Sequence, residues 1–311
     1  MNNIICVAGP TASGKTALAV EIAKMTDGEV VSCDSMQIYR RMTIGTAKPV
    51  PEEMEGIPHH MIDICEPDED FSVSKYCDMA APVVDDIIAR GKTAVIAGGT
   101  GLYMDALIRG NDFAPYPATG RREELEAIAA KEGIEKVIEM LRLVDPESAN
   151  RLHPSDQKRI IRAMEVYLET GKSITQHNLE TQAIPPRFEA TWFALQDENR
   201  QDLYDRIDSR VDKMLELGLL QEIKDLFGMG ISPKATAMQA IGYKEFIDYL
   251  AGNCTLEDAC AQVQQSSRHY AKRQLTWFRK NPQIHWLTRK PGQETQEILQ
   301  SLRQVLVECD N

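Results

Sequence analysis

The sequence predicts an α/β protein in which a helical segment interrupts a parallel β-sheet core. Two observations indicate this fold. Short apolar runs alternate with amphipathic helical segments between residues 4 and 110, and strands that alternate with helices form parallel sheets with crossover connections. The strand pattern then stops, and it returns only near residue 190. The residues in between are therefore predicted to form an all-helical insertion.

The core elements follow one another along the chain. Residues 4–8 form an apolar run that predicts the first strand, and residues 29–33 predict a second. Residues 73–89 predict an amphipathic helix, which leads into a third strand at 93–97. Sheet character resumes at 190–195. We expect a parallel sheet with helices as its crossovers.

The composition changes after residue 110, where a segment rich in proline and glycine precedes several predicted helices. We expect residues 1–111 and 189–311 to form the α/β core. Residues 112–188 are expected to form the helical insertion.

Composition narrows the class of protein. The net charge of -12 argues against a protein that coats nucleic acid non-specifically. The N-terminus lacks the features of a secretory signal, and no apolar run approaches the length of a membrane span. The seven cysteines are scattered without a CxxC pair, so neither a disulfide framework nor a zinc site is indicated. We expect a cytoplasmic protein.

The positive charge is concentrated near the C-terminal end. Residues 259–293 contain no acidic residue but seven Lys or Arg residues. On a helix over residues 268–280, one arc contains Arg268, Lys272, Arg273, Arg279 and Lys280. The other side contains Tyr270, Ala271, Leu275, Trp277 and Phe278. We expect the basic arc to meet phosphate groups; the alternative is an ordinary solvated helix face, although such faces usually mix charge signs.

A phosphate-binding motif follows the first predicted strand. It matches G-x-x-x-x-G-K-[ST] and comprises Gly9, Pro10, Thr11, Ala12, Ser13, Gly14, Lys15 and Thr16. The glycines let backbone N–H groups surround a phosphate, and Lys15 neutralises its oxygens. The Thr16 hydroxyl can hold Mg²⁺, which is the expected cofactor.

The third strand ends without the acidic residue that helps an ordinary NTPase hold Mg²⁺. Residues 98–101 read Gly-Gly-Thr-Gly instead. This difference disfavours a standard ATPase and suggests a second small-residue loop, whose Thr100 hydroxyl can approach the same anion. A plain strand-to-helix turn is the alternative explanation.

The second strand does end in an acid. Asp34 follows it directly, and Ser35 and Gln37 come next. Open α/β sheets bind ligands at the carboxyl ends of their strands, so these groups are expected to lie near the phosphate site. The alternative is that Asp34 or Ser35 caps a helix, and the two roles are compatible.

Two adjacent histidines, His59 and His60, stand close to Asp63. Neighbouring residues on a strand point to opposite faces, so both rings cannot easily bind one ion. We expect structural or substrate hydrogen bonding rather than zinc.

Eight sequence blocks together resemble the tRNA dimethylallyltransferases (tRNA isopentenyl transferases). They occur in order along nearly the whole chain: GPTASGKT at 9–16, DSMQIYR at 34–40, GTAKP at 45–49, PHHMID at 58–63, GGTGLY at 98–103, HPSDQKRIIRAMEVY at 153–167, AIGYKEF at 240–246 and YAKRQLTWFRK at 270–280. The resemblance implies a P-loop NTPase-like fold related to nucleotide kinases. It also implies that the P-loop binds the diphosphate of dimethylallyl diphosphate.

The resemblance implies residue roles as well. Asp34 corresponds to the general base of the family and Thr100 to its pyrophosphate-contacting threonine, and with Lys15 they form the expected catalytic set. Residues expected to contact tRNA, from the resemblance or from the basic arc, are Asp34, Ser35, Met36, Gln37, Thr100, Arg122, Gln157, Lys158, Arg159, Ile160, Ile161, Arg268, Lys272, Arg273 and Arg279.

The expected reaction transfers a dimethylallyl group to the adenosine 3′ of the anticodon in tRNAs that read codons beginning with U. The expected partners are a tRNA anticodon stem-loop and dimethylallyl diphosphate, with no membrane and no obligate protein partner; a monomer is expected. A P-loop kinase for a small molecule or nucleotide is the alternative enzyme. A nucleotide-switched RNA-binding module is the non-enzymatic alternative, but the chain has no Asn-Lys-x-Asp motif of a GTPase.

Overall fold

The computed structural model describes residues 4–110, 119–293, 297–300 and 302. The strands are β1 (Ile4–Ala8), β2 (Gly28–Ser32), β3 (His59–His60), β4 (Thr93–Gly98), β5 (Thr191–Asp197) and β6 (Ile284–Arg289). The helices are α1 (Lys15–Met25), α2 (Pro51–Met54), α3 (Val73–Ala89), α4 (Gly101–Arg109), α5 (Arg121–Glu132), α6 (Ile134–Val144), α7 (Pro146–Arg151), α8 (Gln157–Thr170), α9 (Ile174–Ala183), α10 (Arg200–Glu216), α11 (Leu219–Gly228), α12 (Lys244–Leu250) and α13 (Leu256–Phe278), with a 3₁₀ turn at Ala237–Gln239.

The strands form one parallel sheet in the order β3-β2-β4-β1-β5-β6, which confirms the predicted α/β fold. β1 is buried along its whole length, as expected for a strand covered by helices on both faces. Its side chains alternate between two hydrophobic clusters: Cys6 packs with α3 and α4, whereas Val7 packs with α1. Because β1 lies between β4 and β5, the loops that follow these three parallel strands lie together at the carboxyl-terminal end of the sheet.

Two strands were not predicted from the sequence. β3 contains only two residues, which is too short for an alternation pattern. β6 mixes buried Ile284 and Leu287 with exposed or partly exposed polar side chains at the sheet edge, so it lacks the apolar run of a central strand. Both strands pair with neighbours that were predicted, β2 and β5.

The chain divides into two compact units, Met1–Gly110 with Arg187–Asn311 and Asn111–Pro186. The second unit contains α5 to α9, which pack around a cluster that includes Leu125, Leu141 and Ile160. The expected limits of the insertion were 112 and 188; the first of these lies outside the described residues. Among the described helices, none has the length and apolar character that a bilayer crossing requires.

A buried carboxylate joins the edge of the sheet to α3. Glu29 on β2 is 4% exposed, and it accepts hydrogen bonds from the Arg90 guanidinium, one of them at 2.8 Å. Lys92 lies 3.1 Å away and His60 Nε2 2.8 Å away. The hydrogen bonds from Arg90, with those of His60 and Lys92, hold the pKa of Glu29 well below its usual range despite its burial.

Replacing this carboxylate with the Glu29→Gln substitution removes the charge that Arg90 and Lys92 neutralise. We expect the free energy of unfolding at pH 7 to fall by about 1–3 kcal/mol. The lowered pKa stabilises the fold above the ordinary carboxyl pKa, so the difference from wild type should shrink as pH falls below about 4. Denaturant titrations at several pH values measure this. Glu52→Gln, at an exposed position on α2, is the control and should change little.

Candidate active site

The phosphate-binding motif forms the loop between β1 and α1. Gly9 and Gly14 have φ angles of +148° and +89°, which residues with a side chain rarely adopt. A Cβ atom at Gly9 would also lie 3.2 Å from the backbone oxygen of Leu195 on β5. Helix α1 begins at Lys15, so its free N–H groups and dipole face the same space. The loop therefore has the geometry of an anion cradle.

Three cationic side chains hold carbonyl groups of this loop. Lys15 Nζ donates to Pro10 O at 2.7 Å, Arg206 Nε to Ala12 O at 3.0 Å, and Arg289 Nη2 to Ser13 O at 3.0 Å. Because the C=O and N–H of a trans peptide point in opposite directions, each held carbonyl also orients the amide that follows it. Arg206 and Arg289 were not predicted, since Arg206 lies on α10 and Arg289 at the end of β6, both far along the chain from this loop.

Lys15 shares its surroundings with a second cation. Burial lowers the pKa of Lys15 to about 8; the charge of Asp34 opposes this shift, and that of Arg210 adds to it. The Arg210 guanidinium lies 3.4 Å from the Thr11 hydroxyl, and burial lowers its pKa as well. Arg210 on α10 thus adds positive charge to the cradle, although the sequence analysis did not single it out.

Asp34 follows β2 and closes a tight turn. Its Oδ1 accepts hydrogen bonds from the backbone N–H groups of Met36 at 2.8 Å and Gln37 at 3.3 Å. No helix starts here, so the carboxylate caps a turn rather than a helix. Within the described residues Oδ2 accepts no hydrogen bond, and Asp34 is only partly buried. One oxygen positions the residue, and the other remains available.

A missing side chain brings Thr100 to this turn. A Cβ atom at Gly98 would lie 1.9 Å from the carbonyl oxygen of Cys33, so only glycine permits this approach of β4 to the end of β2. Thr100 Oγ1 then accepts a hydrogen bond from the Ser35 N–H at 3.0 Å and lies 3.4 Å from the Ser35 hydroxyl. Asp34 and Thr100, predicted from separate motifs, thus belong to adjacent turns.

Asp34 and Ser35 line a pocket of about 340 Å³ together with Thr11 of the phosphate-binding loop. Its polar lining includes Thr11, Asp34, Ser35, Thr46, Arg210, Tyr270 and Arg273. Its apolar lining includes Met36, Ile207, Val211, Met214, Ala240 and Val263. Burial, together with the charge of Asp34, raises the pKa of Tyr270 to about 12, so its phenol stays protonated near neutral pH. The pocket thus places a carboxylate, cations and an apolar wall around one space.

The loop at residues 43–47 forms one side of the pocket, and side chains from outside the loop hold its backbone in place. Glu222 on α11 accepts hydrogen bonds from the N–H groups of Thr43 and Ile44, both at 2.8 Å, and of Gly45 at 3.1 Å. The Gln37 side chain donates to the carbonyl oxygens of Thr46 and Ala47, and its own oxygen accepts from Ser32. The Gln37 amide therefore shapes the pocket, and its predicted contact with tRNA stays a prediction.

The basic arc of α13 does not behave as one surface. Arg268 forms two hydrogen bonds with Asp208 on α10, at 2.6 and 2.8 Å, so that carboxylate already neutralises it. Lys272, Arg273 and Arg279 are exposed and form no salt bridge with any described residue. Tyr270, which is opposite the basic arc on the predicted helix, lines the pocket. The helix therefore has a third contact surface, which the division into a basic arc and an opposite side does not describe.

The helical unit has its own cationic groove of about 510 Å³. Arg122, Arg151, Leu152, Lys158, Arg159, Ile161 and Arg162 line it, with Glu126, Ala163 and Ile174. Arg122 forms a two-pronged pair with Glu165, whereas Lys158 and Arg159 are exposed, as is Gln157 at the start of α8. Ile160 is fully buried, so its side chain supports the helix rather than the groove.

The residues present suit a magnesium ion held largely by a ligand. Thr16 is partly exposed in the first turn of α1. Asp197, the acid at the end of β5, is bound by Arg206 at 2.6 Å. In the described parts of the chain, no group of three His, Cys, Asp or Glu residues can hold a metal. Mg²⁺ is commonly bound by few protein oxygens together with substrate phosphates and water, and Thr16 fits that arrangement.

The adjacent histidines have separate structural partners. His59 Nδ1 lies 2.8 Å from Ile57 O, whereas His60 Nε2 lies 2.8 Å from Glu29 Oε2. Their rings therefore serve two different contacts, as expected for neighbouring strand residues.

Comparison with known proteins identifies close relatives. The family model described as IPP transferase matches residues 37–281. A protein named tRNA dimethylallyltransferase 2 from Geotalea uraniireducens is 47% identical over 284 residues, which cover 91% of each chain. A tRNA dimethylallyltransferase from Acetivibrio thermocellus is 43% identical over 307 residues, which cover 98% of each chain.

Solved structures resemble the chain in the same way. The full-length tRNA isopentenylpyrophosphate transferase of Bacillus halodurans has a TM-score of 0.74 and 40% identity, covering all of this chain and 97% of that one. A eukaryotic dimethylallyltransferase described as acting on tRNA has a TM-score of 0.79 and 32% identity, covering 92% of this chain and 73% of that one.

The lowered pKa of Lys15 predicts how anion binding depends on pH. The protonated ammonium attracts phosphate, so affinity for inorganic diphosphate should fall as pH rises through about 8. Because diphosphate itself titrates, the measured quantity is the ratio of Kd values for wild type and Lys15→Arg, obtained by calorimetry from pH 6.5 to 9.5. Arginine stays charged over this range. A ratio that does not change with pH would contradict the assignment.

Proposed function

The chain belongs to the IPP transferase family, and we propose that it transfers the dimethylallyl group of dimethylallyl diphosphate to N6 of a tRNA adenosine. The acceptor is the adenosine 3′ of the anticodon in tRNAs that read codons beginning with U. One observation carries this proposal: the Asp34 carboxylate and the Arg210 guanidinium line the same pocket, and both interact electrostatically with Lys15 of the cradle.

The cradle stabilises the leaving group. An allylic diphosphate departs readily once the negative charge that develops on its oxygens is neutralised. Lys15, Arg210 and the oriented loop amides supply that stabilisation, and the Thr100 hydroxyl is proposed to add a hydrogen bond to the diphosphate. Binding at this cradle places C1 of the dimethylallyl group in the pocket, whose apolar lining suits its methyl groups.

A magnesium ion is the proposed cofactor. Thr16 would hold it together with diphosphate oxygens, and the bound ion supplies further charge neutralisation for the leaving group. The remaining contributions come from side chains and amides of the chain itself.

The carboxylate acts on the nucleophile. The exocyclic amine of adenine is weakly nucleophilic because its lone pair is delocalised into the ring. Asp34 Oδ2 accepts a hydrogen bond from the amine and orients it, while Oδ1 remains fixed by the turn. As the N6–C1 bond forms and the C1–O bond breaks, diphosphate leaves with the bonding electron pair. The proton of the amine passes to Asp34.

The acceptor base must leave its stack to reach the pocket. Extrusion costs least in a single-stranded loop, and RNA is usually recognised by sequence in such loops. The exposed cations Lys272 and Arg273 on α13, and Arg279 directly after it, are proposed to bind the RNA backbone. Lys158 and Arg159 of the helical unit are proposed to do the same in their own groove. We place this reaction in the cytoplasm and expect a monomeric enzyme.

A small-molecule kinase is less well supported. In a kinase, a strand next to β1 would end with an acid that binds the metal. Here that strand is β4, and it ends at Gly98. On the other side of β1, Asp197 ends β5 but pairs with Arg206. No observation favours ATP over an allylic diphosphate as the ligand of the cradle.

The activity is tested by incubating anticodon stem-loop RNA with radiolabelled dimethylallyl diphosphate and Mg²⁺. We expect labelled RNA from the wild-type enzyme. The Asp34→Asn substitution should lower the single-turnover rate by about 10²–10⁴-fold and leave the Kd for RNA unchanged.

Asp68→Asn, at an exposed loop position, is the matched control and should retain the wild-type rate. Unlabelled RNA with wild-type enzyme would refute the transferase. A normal rate for Asp34→Asn would refute the role of the carboxylate alone.

A further inference from the structure

Gln274 is a buried polar residue near the C-terminal end of α13, with 5% of its surface exposed. Its side chain joins two of the loops described above. We propose that Gln274 is a positioning residue, which fixes the separation between the phosphate-binding loop and the loop that carries Thr100. This inference rests on the proposed transferase activity.

Both ends of the Gln274 amide are used. Its Oε1 accepts a hydrogen bond from the Thr11 N–H at 2.9 Å. Its Nε2 donates a hydrogen bond to the Gly99 carbonyl oxygen, also at 2.9 Å. One rigid, planar group thus connects a loop after β1 with a loop after β4. A shift of either loop would lengthen one of these hydrogen bonds.

The glycine loop is shaped to admit this side chain. A Cβ atom at Gly99 would lie 2.1 Å from Gln274 Nε2. One turn further along α13, Trp277 covers Gly101 in the same way, because a Cβ atom there would lie 2.2 Å from its ring. Trp277 Nε1 also donates to Asp105 on α4 at 2.8 Å. The helix therefore docks closely on the loop, and Gln274 extends the contact to the P-loop by its hydrogen bond with Thr11.

The hydrogen bond from Thr11 also reduces the number of backbone amides in the anion cradle that can bind a ligand. Its N–H group is committed to Gln274, so the amides that remain for a diphosphate begin after Thr11. The Thr11 hydroxyl, by contrast, faces the Arg210 guanidinium. Gln274 therefore fixes the backbone of Thr11, whereas the side chain of Thr11 contacts Arg210.

The other end of the amide acts on the acceptor side. Gly99 directly precedes Thr100, whose hydroxyl accepts from the Ser35 N–H beside Asp34. Through these contacts, Gln274 sets how far the turn of Asp34 lies from the loop of Lys15. In a transfer reaction, this distance decides whether the amine and C1 meet at bonding range. A misplacement of about 1 Å can cost about 10²-fold in rate.

A neutral amide suits both partners. Glutamine offers an acceptor and a donor on one planar group; an ionised glutamate offers only acceptors, and methionine offers neither group at similar size. Gln274→Met therefore keeps most of the packing and removes both hydrogen bonds. Gln274→Glu keeps the acceptor for Thr11 and places a second acceptor against the Gly99 carbonyl.

The test compares Gln274→Met and Gln274→Glu with wild type in single turnovers, at saturating dimethylallyl diphosphate and stem-loop RNA. Rates are normalised to the folded, active fraction, and melting temperatures are measured in parallel. We expect both variants to lower the rate constant by about 30–100-fold. The Kd for RNA should stay within about twofold of wild type, since a displaced loop affects alignment rather than RNA binding.

Gln262→Met, at an exposed glutamine on the same helix, is the matched control and should retain the wild-type rate. A Gln274→Met enzyme with a normal rate constant would overturn the proposal, because packing alone would then suffice. So would a loss confined to melting temperature and active fraction. If the methionine variant does not fold, the glutamate variant decides by the same criteria. Failure of the wild-type enzyme to label RNA would instead refute the proposed function.

Discussion

The site depends on the close approach of the ends of β2 and β4. The Cys33 carbonyl occupies the space where any side chain at residue 98 would lie, so glycine at this position is a steric requirement. This contact places the Thr100 hydroxyl against the Ser35 N–H and brings the turn of Asp34 next to the glycine loop. Without it, an acid from one motif and a hydroxyl from another would remain on separate loops.

The charged side chains around this contact bind two kinds of backbone group. Cations bind the carbonyl oxygens of the P-loop, and the amides after Ala12 and Ser13 remain directed at a ligand. Carboxylates bind backbone amides: Asp34 holds its own turn, and Glu222 holds the loop at 43–45. The backbone of the site is thus held by side chains from α10, α11 and α13. This explains how loops alone can present reactive groups in fixed positions.

The sequence was sufficient to predict the four central strands of the sheet, the P-loop and the location of Asp34 and Thr100 after neighbouring strands, whereas the roles of these two residues stay predictions. These features depend on local signals: an apolar run, a glycine spacing or an acid at a strand end. Arg210, Arg206, Glu222 and Gln274 were not found, because their partners lie in loops far from them in the sequence and no spacing rule reports such contacts. Arg268 illustrates the opposite error: the charge pattern was correct, but Asp208 on another helix neutralises it.

We expect Asp34 to contact the acceptor amine while the diphosphate occupies the P-loop. A crystal structure with stem-loop RNA and an unreactive analogue of dimethylallyl diphosphate would give the distance from Asp34 Oδ2 to adenine N6. We expect a hydrogen bond of about 2.6–3.2 Å, with the diphosphate against Lys15. An adenine bound elsewhere, or both Asp34 oxygens engaged only by protein groups in that complex, would refute this contact.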